Sequence, residues 1–219
     1  MGFNVAIDGP AGAGKSTIAK AVAAKLGFIY VDTGAMYRAI ALYLLNHNIA
    51  SDDEKAIEES LDDINVEIAY VDGSQQVLLN GDNVSKEIRR EEVGNMASAT
   101  SVYGCVRSKL LSLQRELARK SDVIMDGRDI GTCVLPDAQV KIYLTASVDC
   151  RAQRRYKELV EKGETPVLDD IKKDISDRDY RDMHRDIAPL KQAEDAVCVD
   201  SSDMTIQEVV DTIVGLCEK

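Results

Sequence analysis

The sequence lacks an excess of positive charge. Its 219 residues include 27 lysines and arginines against 38 aspartates and glutamates, a formal net charge of −11. Proteins that bind DNA, RNA or an anionic bilayer surface need a broad positive field, so we expect neither nucleic acid nor a membrane as a partner. No apolar run in the sequence reaches the roughly 18 to 20 residues of a membrane span. Because the first residues also lack the regions of a secretory signal, we expect a cytoplasmic protein, with a monomer as the default.

Metal-binding cysteine and histidine patterns are missing as well. The two histidines, His47 and His184, lie neither near a cysteine nor in an HExxH pattern, so we expect no structural zinc site and place both on the surface. The five cysteines are odd in number and contain no CxxC pair, which indicates small apolar residues in a reducing compartment. They are Cys105, Cys133, Cys150, Cys198 and Cys217.

Alternating strand and helix patterns predict an α/β fold. A short apolar run at Asn4 to Asp8 precedes a glycine-rich turn, and Ser16 to Leu26 then predicts a packed helix that ends at Gly27. A second strand and helix follow, so the order is βαβα and the sheet is expected to be parallel. The further predicted elements are a strand at Phe28 to Val31, a helix opening at Asp32-Thr33-Gly34 and running to about Asn46, and strands at Val123 to Met125, Val140 to Leu144 and Ala196 to Val199.

The segment between the second helix and residue 90 has a different pattern. Ser51 to Glu54 has capping-box spacing and predicts the start of an acidic helix. Alternating segments at Val66 to Tyr70 and Gln76 to Leu79, joined across Asp72-Gly73, then predict a β-hairpin. Because a hairpin does not belong to a βα repeat, we interpret residues 49–90 as a partly antiparallel insertion in a single domain of residues 1–219.

Two amphipathic helices are predicted in the second half of the chain. Val106, Leu110, Leu113 and Leu117 recur at helical spacing before the third strand. Near the C-terminus, Thr205 to Glu208 again has capping-box spacing. The first of these helices is expected to be long and the last one to pack back on the sheet, and the predicted fold is five parallel strands with helices on both faces.

A phosphate-binding motif follows the first predicted strand. Residues 9–16 match GxxxxGKS at the start of the first helix. The backbone N–H groups of such a loop surround an anion, Lys15 reaches the β and γ phosphate oxygens, and Ser16 can ligate Mg²⁺. We therefore expect a nucleoside triphosphate with Mg²⁺, and reject a dinucleotide loop because Thr17 stands where the third glycine of GxGxxG belongs. The loop residues predicted to bind it are Gly9, Pro10, Ala11, Gly12, Ala13, Gly14, Lys15, Ser16 and Thr17, and the resemblance described below makes this ligand ATP.

Arginines recur at predicted loops and helix ends. Several forked guanidinium groups suit two phosphorylated substrates, since each phosphate can take bidentate contacts. For any single arginine, a solvated charge or a surface ion pair is the plain alternative. No guanine-reading NKxD sequence is present. The arginines are Arg38, Arg128, Arg154, Arg155, Arg178, Arg181 and Arg185.

Four segments together have a specific pattern. They are Ala-Ile-Asp-Gly-Pro-Ala-Gly-Ala-Gly-Lys-Ser-Thr at 6–17, Asp-Thr-Gly-Ala-Met-Tyr-Arg at 32–38, Met-Asp-Gly-Arg-Asp-Ile-Gly-Thr at 125–132 and Arg-Asp-Tyr-Arg-Asp-Met-His-Arg at 178–185. These segments resemble the bacterial cytidylate (CMP/dCMP) kinases, nucleoside monophosphate kinases of the P-loop class, and the resemblance covers essentially the whole chain. It implies transfer of the γ-phosphoryl group of ATP to CMP or dCMP, an inserted monophosphate-binding subdomain at 49–90, and a helical lid at 151–168.

The same resemblance implies roles for individual residues. Arg38, Arg128 and Arg185 would hold the phosphate of CMP, with Thr33 and Tyr37 beside it, although the family often has Ser at position 33. Ser98, Arg107 and Asp129 would contact cytosine, Arg178 and Asp182 the ribose, and Arg154 and Arg155 the ATP phosphates. Cytosine suits such a set because its N4 amino group donates to a carboxylate while N3 and O2 accept. The expected catalytic residues are Lys15, Arg128 and Arg185.

Plainer readings and rival functions remain open at this point. Ser98 can be a small helix residue, Arg107 a surface charge, and Asp126 or Asp129 the cap of a turn. A P-loop kinase for UMP or for a metabolite without phosphate is the nearest rival. A noncatalytic nucleotide-binding switch is a rival from another class.

Overall fold

The computed structural model describes residues 2–71 and 73–218. The chain divides into two compact units. The P-loop unit consists of Gly2–Tyr30 and Ser121–Lys219, and the middle unit of Val31–Lys120. Asp72, half of the predicted hairpin turn, lies outside the described residues.

The described residues form strands and helices in the following chain order. The strands are β1 (Asn4–Asp8), β2 (Ile29–Asp32), β3 (Val66–Val71), β4 (Ser74–Leu79), β5 (Asp82–Asn83), β6 (Val123–Gly127), β7 (Val140–Thr145) and β8 (Val197–Asp200). The α-helices are α1 (Lys15–Leu26), α2 (Thr33–Asn46), α3 (Glu54–Ser60), α4 (Glu91–Thr100), α5 (Gly104–Lys120), α6 (Val148–Glu161), α7 (Leu168–His184) and α8 (Ile206–Cys217). A short π-helix runs over Ile130–Val134.

A five-stranded sheet has the order β2-β6-β1-β7-β8. Its central strand β1 pairs in parallel with β6 and β7, so that Ala6 lies opposite Met125 on one side and Lys141 on the other. The strand β7 also pairs in parallel with β8. The prediction of a five-stranded parallel sheet is confirmed, with strand ends shifted by one or two residues.

The core of the P-loop unit buries apolar side chains from strands and two helices. Val5 and Ile7 of β1 pack with Ile18 of α1 and with Val209 and Ile213 of α8. The helix α8 begins at the predicted capping box, in which Thr205 and Glu208 cap one another. Because α1 and α8 both pack against β1, the P-loop that joins β1 to α1 starts from a rigid base.

The middle unit contains the predicted hairpin. Strands β3, β4 and β5 form an antiparallel sheet with the order β3-β4-β5. The predicted start of α3 at Ser51 is wrong. The helix begins at Glu54, and the carboxylate of Asp53 accepts the cap hydrogen bond from the Ala56 amide at 3.0 Å.

The structure shows the exposure of the cysteines and histidines and the apolar character of the helices. All five cysteines are free, and Cys133 and Cys198 are exposed rather than packed as small apolar residues. His47 and His184 are exposed as predicted. Among the described residues, no helix combines the length and apolar character that crossing a membrane requires.

Candidate active site

The P-loop lies between β1 and α1 and is shaped by its glycines. Gly9 has a φ of 151°, and a Cβ on it would lie 1.9 Å from the carbonyl oxygen of Leu144. Gly14 is left-handed with a φ of 87° and serves as the N-cap of α1 without a side-chain cap bond. The first N–H groups of α1 therefore remain available to an anion.

Lys15 is buried at the base of this loop. Its Nζ donates to the carbonyl oxygens of Gly9 and Pro10, each at 2.8 Å. Burial, followed by the positive charge of Arg128, lowers the pKa of Lys15 well below its usual range, although nearby carboxylates oppose the shift. An anionic ligand in the loop would favour the charged form of this lysine.

Ser16 and Asp126 lie side by side. The hydroxyl of Ser16 donates to the carboxylate of Asp126 at 2.9 Å, and the phenol of Tyr30 donates to the other carboxylate oxygen at 3.1 Å. Asp126 is buried near the end of β6. A hydroxyl beside one carboxylate fits Mg²⁺, which is held by few protein oxygens together with nucleotide phosphates. Within residues 2–71 and 73–218, no group of three or more His, Cys, Asp or Glu side chains that could hold a metal ion occurs.

Two arginine–carboxylate pairs form a charged cluster in the P-loop unit. The Nε of Arg128 lies 2.9 Å from Asp182, and an Nη of Arg185 lies 3.2 Å from Asp129. The side chains of Arg185 and Asp129 are only 5% and 7% exposed, so the pair is shielded from solvent. The structure therefore brings together four of the residues that the sequence assigns to CMP.

The charge state of this cluster follows from its arginines. Burial disfavours the ionised form of Asp182, but Arg128 outweighs it, with help from Arg178 and Arg185, and the pKa of Asp182 is lowered. Arg178 lies one helical turn before Asp182 on α7. With the Arg185–Asp129 pair, the cluster contains three arginines and two carboxylates. Several guanidinium groups in one place suit a phosphate group, which can take bidentate contacts.

The remaining predicted CMP residues belong to the middle unit. Thr33, Tyr37 and Arg38 lie on α2, and Thr33 is buried directly after the N-cap Asp32. Arg107 of α5 lies over the ring of Tyr37, with its guanidinium carbon 5.8 Å from the ring centroid, a distance typical of a cation–π contact.

Arg38 and Ser98 are placed by helices of the same unit. An Nη of Arg38 donates to the carbonyl oxygen of Ile88 at 3.0 Å. Ser98 is half-buried on α4, and its carbonyl oxygen accepts from the hydroxyl of Ser101 at 3.1 Å. The assignments of these residues to CMP stay predictions.

The two predicted ATP-phosphate arginines have different surroundings on α6. Arg154 donates to the carbonyl oxygen and hydroxyl of Ser201 at 2.7 and 3.3 Å, and one of its Nη atoms lies 4.0 Å from where a Cβ on Gly14 would be. Arg155 forms an exposed pair with Glu158 at 2.9 Å. The structure thus places Arg154 beside the P-loop and Arg155 in a surface pair.

Arg151 is a site residue that the sequence reasoning missed. It is buried, donates to the P-loop carbonyl of Ala11 at 2.9 Å and to Ala146 at 2.9 Å, and pairs with Asp179 of α7 at 2.6 Å. One side chain therefore connects the P-loop to the helix that carries Arg178 and Asp182. Its spacing of three residues before Arg154 places both on one face of α6, which was the available signal.

Asp8 is a second residue that the sequence reasoning missed. Its carboxylate accepts from the backbone N–H groups of Ile130 and Gly131 at 2.8 and 2.7 Å. These amides open the π-helix directly after Asp129. Asp8 thereby fixes the end of β1, which leads into the P-loop, to the segment that carries Arg128 and Asp129. Burial is the main cause that raises the pKa of Asp8 to about 6, against the two backbone hydrogen bonds, which lower it.

The raised pKa of Asp8 predicts a pH dependence of stability. A folded-state pKa above the unfolded value adds stability at low pH that is lost as the pH rises through the folded pKa. Relative to Asp8→Asn, the free energy of unfolding of the wild type should fall by about 2 kcal/mol between pH 4.5 and 7.5. Urea titrations of both proteins across this range measure the difference, and a difference that stays constant would contradict the prediction.

Comparison with known proteins identifies the family. Residues 5–219 match the family model described as cytidylate kinase. The chain belongs to the cytidylate kinase family. Curated cytidylate kinases of Lactobacillus johnsonii and Caldicellulosiruptor saccharolyticus are each 52% identical over 217 residues, covering 99% of this chain and 94% and 96% of theirs. The cytidylate kinase of Streptococcus pneumoniae is 48% identical, covering 99% and 98% of the two chains.

Solved structures are similar in fold to this cytidylate kinase family member. An uncharacterised protein of Eubacterium ventriosum aligns with a TM-score of 0.55 at 12% identity, covering 99% of both chains. A shikimate kinase of Acinetobacter baumannii, solved with shikimate, aligns with a TM-score of 0.49 at 16% identity, covering 100% of this chain and 94% of that one. At such identities the first likeness supports the fold alone.

Proposed function

We propose that this protein transfers the γ-phosphoryl group of ATP to CMP or dCMP, giving ADP and CDP or dCDP. The observation that carries the proposal is the similarity along the whole chain to proteins named cytidylate kinase, at about half identity. The site agrees with it, because the P-loop unit contains both a phosphate-binding loop and a cluster of arginines paired with carboxylates.

The loop of residues 9–17 is the proposed ATP site. Lys15 is held at its base by two loop carbonyls and would exchange them for the β and γ phosphate oxygens. Arg154 beside Gly14 would contact the same phosphates, and Arg155 would have to leave its surface pair with Glu158 to join it. Arg151 would act on the phosphates only indirectly, because its hydrogen bond to the carbonyl oxygen of Ala11 holds the P-loop in place.

Ser16 and Asp126 are the residues that would hold Mg²⁺ with the nucleotide. Their oxygens already lie within hydrogen-bond distance of one another. When bound, the metal ion would neutralise charge on the β and γ phosphates. Tyr30 orients the Asp126 carboxylate through its second oxygen.

The acceptor site is proposed from the family roles. Arg38, Arg128 and Arg185 would bind the CMP phosphate, while Thr33 and Tyr37 line the same subsite. Ser98, Arg107 and Asp129 would bind cytosine, and Arg178 and Asp182 the ribose. Asp129 suits its role because Arg185 holds its carboxylate in a buried place. A base that could not donate a hydrogen bond to a buried carboxylate would bind much more weakly, which makes such a site selective between bases. In this proposal residues 49–90 serve as the monophosphate-binding subdomain and residues 151–168 as the lid.

The reaction needs no general base. The attacking group is a phosphate oxygen that is largely ionised at neutral pH. The chain therefore contributes alignment and charge stabilisation, with Lys15 at the transferred phosphoryl group and Arg128 and Arg185 at the acceptor. Asp182 and Asp129 keep these two arginines in place through the pairs already described.

Turnover of ATP with and without CMP tests the proposal. A coupled assay of ADP formation should show a rate that rises steeply, by at least about 100-fold, when CMP is added. A noncatalytic switch would release ADP slowly and at the same rate in both cases. We further propose that the protein acts in the cytoplasm and that it is a monomer. Sedimentation of the purified protein can check the oligomeric state.

A further inference from the structure

Gly94 lies in the middle of α4 and is buried. Its backbone is helical, unlike the glycines of positive φ. A glycine inside a helix is unfavourable compared with alanine. The conformation of the chain therefore gives no reason for a glycine at this position.

The space beside Gly94 is filled by Arg38. A Cβ added to Gly94 would lie 3.0 Å from both Nη atoms of Arg38 and 3.2 Å from its guanidinium carbon. These distances are shorter than ordinary van der Waals contact, so the guanidinium lies directly against the backbone of α4. The same guanidinium donates to the carbonyl oxygen of Ile88 at 3.0 Å. Two backbone surfaces thus fix one guanidinium.

We propose that Gly94 is a positioning residue for Arg38, and that the missing side chain at this position sets where the guanidinium meets the acceptor phosphate. The inference rests on the assignment of Arg38 to CMP in the proposed function. An alanine would displace the end of a flexible side chain by a few tenths of an ångström. Such a shift changes the fold little, but it moves the guanidinium that would bind the acceptor phosphate. For comparison, a misplacement of about 1 Å can lower a rate by about 100-fold.

Gly94→Ala should therefore separate stability from activity. The KM for CMP is expected to rise by about 10-fold while the KM for ATP stays within about twofold of the wild type. The urea midpoint should be unchanged or higher, because alanine favours the helix. The matched control is Gly215→Ala on α8, where an added Cβ would have nothing within 4 Å. In this control the urea midpoint should likewise be unchanged or higher, and neither the KM for CMP nor the KM for ATP should change.

Arg38→Ala tells the possible failures apart. Arg38→Ala should raise the KM for CMP on its own, and adding Gly94→Ala to it should have no further effect. If Arg38→Ala raises the KM for CMP and Gly94→Ala does not, the positioning role is overturned and the proposed function stands. If Arg38→Ala leaves the KM for CMP unchanged, the assignment of Arg38 to the acceptor is overturned, and the role of Gly94 with it. A rise in KM from Gly94→Ala that persists without the Arg38 side chain would also overturn the positioning role.

Discussion

Lys15→Met is expected to lower kcat for CMP phosphorylation by about 1,000-fold, because in the proposed function Lys15 supplies the positive charge at the transferred phosphoryl group. Lys15 is buried, and its two hydrogen bonds run to carbonyls of the P-loop itself. Methionine removes both the desolvation cost of the buried ammonium group, which lowers its pKa, and these two hydrogen bonds, so the free energy of unfolding should change little. Steady-state kinetics with saturating ATP and CMP, together with urea unfolding, measure both effects.

Lys20→Met is the matched control for this prediction. Lys20 lies on the same helix but is exposed, with its ammonium group 5.5 Å from the ring centroid of Tyr30. The same substitution at this position should leave kcat within about twofold of the wild type, because an exposed charge contributes little. If Lys15→Met keeps more than a tenth of the wild-type kcat, Lys15 does not stabilise the transferred group.

Asp129→Asn is expected to lower kcat/KM for CMP by about 100-fold, since the change would remove both the proposed charge-assisted hydrogen bond to the base and the carboxylate that pairs with Arg185. Asparagine is similar in size, so the space around the Arg185 guanidinium is preserved. The KM for ATP should stay near the wild-type value, and the preference for CMP over UMP should fall by a factor similar to the loss for CMP. Substrate kinetics with CMP and UMP at fixed ATP give these values.

Asp182→Asn separates base recognition from loss of a buried carboxylate. Asp182 is buried like Asp129, and its carboxylate pairs with Arg128 at 2.9 Å. Because Asp182 is assigned to the ribose, the change should weaken CMP and UMP alike and leave their ratio within about twofold of the wild type. An equal loss of base preference in both variants would show that Asp129 acts through the charge of the cluster rather than through the cytosine.

The strands and helices of the P-loop unit were predictable because local signals agree there. The apolar run of β1, the motif of residues 9–16 and the C-cap at Gly27 each indicate the same strand, loop and helix. The predicted start of α3 was wrong because two candidate N-cap residues lie close together in the sequence. Ser51 and Glu54 fit a capping box by spacing, but the Asp53 carboxylate reaches the Ala56 amide and begins the helix later.

The buried charges of the site were less predictable. Arg151, Arg154 and Arg155 form one run on α6, and only the packing of that helix shows that Arg151 turns inward to Ala11 and Asp179. Asp8 looked like the last residue of a strand, yet its partners Ile130 and Gly131 are more than 100 residues away in the sequence. Sequence patterns report spacing within one element, whereas these contacts join elements that only the sheet order brings together.

The initial rates with a panel of nucleoside monophosphates, at fixed ATP and Mg²⁺, test the central claim most directly. Substrates are CMP, dCMP, UMP and AMP, with shikimate as an acceptor that lacks phosphate. The proposed function predicts that kcat/KM for CMP or dCMP exceeds that for every other acceptor by at least about 100-fold, because the site would leave buried polar groups unpaired with the other bases. Phosphorylation of CMP no faster than that of AMP or shikimate would contradict it.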